Sequence, residues 1–122
     1  MKLHAAGPTG LNTITGYGEG YVAVNGERRE SSVIVLPDRL VAWEAREFSE
    51  LAPEHFRVFE ALEVEIVLLG TGPTQRFPHP RLTAALAAKR IGLEVMDVQA
   101  ACRTYNILVA EERKVAAALL FA

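Results

Sequence analysis

The chain is poor in the residues that most chemistry needs. It has one cysteine, Cys102, which excludes an internal disulfide and fits a reducing compartment. It has no apolar run near the roughly 18 residues of a membrane span, so no integral membrane segment is expected. The stretch from Met1 to Pro8 lacks the apolar core of a secretory signal, because Pro8 and Gly10 interrupt it, and the expected location is cytoplasmic. Excess positive charge is missing too. Thirteen Lys and Arg against fifteen Asp and Glu give a net charge of −2, and the basic residues are scattered, which argues against nucleic acid as a partner. His4, His55 and His79 show no metal-ligand spacing. Ser31, Ser32 and Ser49 lack the strand-to-helix setting of a nucleophile. The sequence therefore carries no catalytic set, and neither a metal nor a cofactor is expected.

What is present is a globular composition, 50% hydrophobic and 23% charged, in 122 residues, enough for one domain with one core. Residues 1–10 read as a loose lead-in. Residues 21–24 form an apolar run that meets Asn25-Gly26, the dipeptide suited to a type I′ turn. Residues 31–36 read as the returning strand, Pro37-Asp38 as a turn, and residues 40–43 as a third strand, which together make an antiparallel meander.

The pattern then changes to helices and buried strands. Pro53 opens a helix whose Phe56, Phe59 and Leu62 recur at helical spacing. Residues 64–69 form a nearly unbroken apolar run, the mark of a strand covered on both faces. Pro80 opens a second helix with Lys89 and Arg90 in its last turn and Gly92 as a left-handed cap. Residues 93–96 are a short strand, and Asp97 is an N-cap for a helix reaching about Ala110. Residues 114–121 are a final strand. Right-handed crossovers make this β-α-β-α-β unit parallel. The expected fold is α/β: a single domain with an N-terminal meander, a mixed sheet and flanking helices.

If these strands are parallel, Gly70-Thr71-Gly72 and the helix after Asp97 open on one sheet edge, where α/β sheets commonly hold ligands. Pro73-Thr74-Gln75 occupies the place of a third glycine, so no dinucleotide or phosphate-loop fingerprint is complete. The glycines serve either a tight turn or the wall of a crevice. Arg103 and Asn106 share a stripe of the last helix. Arg103 can fork onto a carboxylate or phosphate, with Asn106 adding amide contacts, or it can lie on a solvated face. Asp97 suits a cap better than an acid or base. Cys102 falls on the apolar stripe with Val98, Ala101 and Tyr105, as a buried small hydrophobe rather than an exposed thiol. Trp43 is either a core aromatic or an anchor for a partner.

Gly70-Thr71-Gly72, Glu94-Val95-Met96-Asp97, Ala101-Cys102-Arg103-Thr104-Tyr105-Asn106-Ile107-Leu108 and Val115-Ala116-Ala117-Ala118-Leu119 resemble a small bacterial and archaeal family of uncharacterised α/β proteins. That family includes mitochondrial complex I assembly factor 3. Gly16-Tyr17-Gly18 and Ser32-Val33-Ile34-Val35 extend the likeness. The resemblance implies a compact domain with a mixed sheet and flanking helices. For mitochondrial members it implies a non-enzymatic role, binding another assembly factor and early complex I subunits; for bacterial members it implies no particular activity. The sequence differs from the family in lacking a mitochondrial targeting extension, which would put any assembly role in the cytoplasm. It also has Glu111-Glu112-Arg113 where the family often has a glycine.

The expected function is thus a non-catalytic binding or assembly module with protein partners, among them respiratory-complex subunits or assembly factors. The alternative is a protein or enzyme that binds a small anionic ligand in a crevice formed by Gly70, Thr71, Gly72, Asp97, Arg103 and Asn106.

Overall fold

A computed structural model describes residues 10–122, so the expected lead-in, His4 included, lies outside the described residues apart from Gly10. Strands β1 (Ile14–Gly18), β2 (Tyr21–Val24) and β3 (Glu27–Arg29) form a three-stranded antiparallel sheet. Strands β4 (Val33–Val35), β5 (Leu40–Ala42), β6 (Ile66–Thr71), β7 (Gly92–Met96) and β8 (Val115–Leu120) form a five-stranded sheet in the order β5-β4-β8-β6-β7. The helices are α1 (Pro53–Arg57), α2 (Ala84–Ala88) and α3 (Val98–Ala110).

Asn25 and Gly26 take φ of 52° and 84°, the pair of left-handed residues that a type I′ turn requires. The strand that returns from this turn is β3, not residues 31–36 as expected. Glu27, Arg28 and Arg29 form an edge, where charge is tolerated. Val33, Ile34 and Val35 are buried, because β4 lies between β5 and β8 in the larger sheet. The meander therefore divides between two sheets. Strand β1 carries little signal in the sequence, since Gly16 and Gly18 dilute its pattern.

The β-α-β-α-β unit is as expected: β6 pairs in parallel with both β7 and β8. Its alternating side chains feed two cores. Leu68, Ala117 and Leu119 face α3 and the smaller sheet, together with Val22, Val24 and Tyr105. Val67, Leu69, Ala116 and Ala118 face Phe56, Phe59 and Leu86 of the other helical layer. Trp43 belongs to that second core at 6% exposure, edge-on to Phe56 and Phe59 at 5.9 and 6.1 Å, and its indole N–H donates to the His55 carbonyl at 3.0 Å. It is a core aromatic, not a surface anchor.

The two short helices differ in detail from expectation. The helix opened by Pro53 tightens into a 3₁₀ turn over Val58–Ala61, and Pro80 opens a 3₁₀ turn (Pro80–Leu82) before α2. Gly92 is not the cap of α2; it is the first residue of β7. Arg90 takes the left-handed conformation instead, with φ of 59°. The Ile91 amide donates to the Leu86 carbonyl at 2.9 Å and the Arg90 amide to that of Ala87 at 3.0 Å, the paired bonds of a Schellman end. Helix α3 ends in the same way on Glu112, at φ of 63°, with Arg113 N–H on Leu108 O and Glu112 N–H on Val109 O, both at 3.0 Å.

Candidate functional site

Gly70, Thr71, Gly72 and Asp97 do meet at the carboxyl ends of β6 and β7, where α3 packs closely on Gly70 and Thr71 is buried. Gly70 and Thr71 are strand residues rather than loop. A Cβ on Gly70 would lie 3.2 Å from the Val98 Cα, 3.2 Å from the Ala101 Cβ and 3.0 Å from a Leu119 methyl. The missing side chain is what lets α3 rest on the strand. Thr71 is fully buried. Its hydroxyl donates to the Thr74 carbonyl at 2.7 Å, with the Met96 carbonyl at 3.3 Å as a weaker acceptor, and it accepts from the Arg76 amide at 3.0 Å. Gly72, at φ of 88°, accepts from the Val98 amide at 2.9 Å. Asp97 caps α3, accepting from the Ala100 amide at 2.9 Å.

Arg103 and Asn106 do not join this group, because they lie further along α3 and turn toward β1. The Asn106 amide brackets one strand residue: its Oδ1 accepts from the Ile14 N–H at 2.9 Å and its Nδ2 donates to the Ile14 carbonyl at 2.8 Å. That bidentate clamp explains why a strand with so little propensity forms. Arg103 is exposed and donates to the Tyr17 hydroxyl at 3.2 Å, a bond that raises its pKa above the ordinary arginine value. Most of its fork remains open to solvent.

Cys102 is 1% exposed, and burial pushes its thiol up to about 12, too high for a nucleophile at neutral pH. Tyr105 is buried beside it, and burial, with the negative charge of Asp38 as a lesser cause, raises its phenol well above the usual range. The phenol donates to the Asn12 carbonyl at 3.0 Å, which secures the segment leading into β1.

Two features escaped the sequence reading. The first is Arg76, in the loop after Gly72. Its Nη2 donates to the Thr71 carbonyl at 2.9 Å, its guanidinium stacks 4.7 Å over the Phe48 ring, and its Nε is buried without a hydrogen-bond partner. The second is an open groove of about 780 Å³ at the opposite end of the sheet, by the starts of β6 and β8. Leu11, Leu36, Leu62, Val64 and Val109 give it an apolar floor, and Glu63, Glu112 and Lys114 stand at its edge. A sequence signal for it existed: glutamate in place of the glycine that normally ends a helix.

Among the described residues there is no helix long and apolar enough to cross a membrane, and no cluster of three potential metal-ligating side chains. Comparison with known proteins gives a consistent result. The family described as "Protein of unknown function (DUF498/DUF598)" matches residues 14–120, from β1 to β8. The NADH dehydrogenase (ubiquinone) 1 alpha subcomplex assembly factor 3 of Bos taurus is 34% identical over 109 residues, which is 88% of this chain and 59% of the bovine protein. The chain thus spans about three fifths of the length of that relative. An uncharacterized protein of Rhodobacter capsulatus is 30% identical over 122 residues, covering 98% of this chain and 93% of its own. A crystal structure of a Bordetella parapertussis protein matches with a TM-score of 0.87 at 37% identity, covering 95% of this chain and all of that one.

Proposed function

We propose that this chain, which belongs to the DUF498/DUF598 family of proteins of unknown function, is a non-catalytic binding module that acts in the cytoplasm on protein partners during assembly of a respiratory complex. The observation that carries this reading is the 34% identity to an assembly factor for NADH dehydrogenase across 88% of the chain. It is supported as well by the carboxyl end of the sheet, where Thr71 and Asp97 direct their polar atoms to the protein's own backbone. The test is deletion of the gene in its own organism, followed by native electrophoresis of membranes with an in-gel NADH-oxidation stain. Loss or delay of the NADH-oxidising complex, restored by the intact chain, is expected. A complex of normal amount in the deletion strain overturns the reading.

A narrower second reading rests on the two arginines. Arg103 keeps an exposed fork, and Arg76 stands at the strand ends without a carboxylate partner among the described residues. A small anion on this side would be held by the exposed fork of Arg103, since Thr71, Asp97 and Asn106 bond to the protein's own backbone. Thermal-shift titration with phosphate and citrate tests it: stabilisation lost in Arg103→Ala supports it, and no shift, or one indifferent to that substitution, removes it.

A further inference from the structure

The groove at the amino ends of β6 and β8 shares Asn106 with the clamp on β1, but the rest of its lining has a distinct chemistry. Its floor is aliphatic, and its volume of about 780 Å³ accommodates several side chains at once. Ile107 lies outside the cavity at 58% exposure, one helical turn from Ala110 on the groove wall. The apolar surface therefore runs out of the groove and along α3. A small molecule confined to the cavity would leave Ile107 uncovered, whereas a chain segment crossing the groove would cover both.

The charges at the edge are not balanced. Arg39 is paired with Asp38 at 2.7 Å and Arg113 with Glu65 at 3.1 Å. The Arg113 hydrogen bond, with help from the Lys114 backbone amide, holds the Glu65 carboxyl below its ordinary value, which leaves Lys114 as the one cation at this edge outside an ion pair among the described residues. Glu63 and Glu112 have no partner among the described residues. Both sit at positive φ, 58° and 63°, positions that glycine would take at lower cost.

We infer that this groove docks an exposed segment of a partner protein in which apolar side chains stand next to a lysine or arginine. The apolar side chains enter between Leu36, Leu62 and Val109, and the cation meets Glu63 and Glu112. This inference rests on the assembly reading and gives that reading a surface.

The probe is a displayed library of random twelve-residue peptides, selected on the intact protein. Enriched peptides are expected to join apolar residues to Lys or Arg. Their binding should fall at least tenfold in Ala110→Trp, which fills the groove from an exposed helix end, and at least tenfold in the Glu63→Lys, Glu112→Lys double variant, whose sites are on the surface. Unchanged melting curves for both variants establish that folding is not the cause. Failure to enrich any peptide, enrichment of acidic peptides, or undiminished binding to the folded variants overturns the inference. The two readings fail separately. A deletion strain rescued in full by Ala110→Trp leaves assembly standing without the groove. Selected peptides with no defect in the deletion strain leave the groove standing without respiratory assembly.

Discussion

At the carboxyl ends of β6 and β7, α3 rests directly on Gly70, and the hydroxyl of Thr71 and the carboxylate of Asp97 are bound to nearby backbone. At the amino ends of β6 and β8, the same helix finishes on a left-handed glutamate beside an open aliphatic groove. The general preference of α/β sheets for ligands at the carboxyl ends of strands depends on a crevice being left there. Here Gly70 brings the helix down onto the strand and Gly72 turns the chain under it. Substitutions at the first end should therefore act on folding, and those at the second on binding.

The largest effect is expected for Gly70→Val. Its side chain would meet backbone at Val98 and the Ala101 methyl, and overpacking of this kind costs ~3 kcal/mol, visible as a lowered urea midpoint. A melting point unchanged by Val would mean that α3 yields easily and that the carboxyl end can open. Thr71→Val is next. It keeps the shape but strips the Arg76 amide and the Thr74 carbonyl of their partner, for a loss of about 2 kcal/mol in the same titration.

Alkaline pH probes the core between the two ends. For Cys102 the folded pKa of about 12 lies above the ordinary 9.0, so its contribution is whole below pH 9.0 and is lost as pH rises toward 12. Tyr105 acts in the same direction. Each group adds a slope of up to about 1.4 kcal/mol per pH unit, and Cys102→Ala should remove one of the two. Denaturant titrations between pH 8 and 11 read this slope, and alkylation of Cys102 should be slow until the protein unfolds. The smallest effect has the opposite sign. Glu112→Gly should stabilise the fold by about 0.5–1 kcal/mol through relief of the left-handed backbone, while weakening capture of basic peptides.

The sequence disclosed what local periodicity and local chemistry decide. The apolar run of β6, the Asp97 cap and the Asn25-Gly26 turn are all where short-range rules put them. It hid what distant contacts decide. β1 forms because Asn106 and Tyr105, far along the chain, bind its backbone and the segment before it. β4 leaves the meander because β8 offers a better-buried partner. The expected site dispersed for a related reason. Helical spacing placed Arg103 and Asn106 on one stripe, but only the smaller sheet, packed on that side, decides what the stripe faces.

The place of β8 has a further consequence, for the order in which the protein takes shape during synthesis. It is the last of the eight strands among the described residues yet lies at the centre of the larger sheet, antiparallel to β4 on one side and parallel to β6 on the other. Until residues 115–120 leave the ribosome, the β4–β5 hairpin and the β6–β7 unit have no shared partner, and each presents an unpaired aliphatic edge. The domain should therefore close late and in one step, with slow, long-range pairing as the barrier. A nascent chain stalled before β8 should be the species most in need of a chaperone.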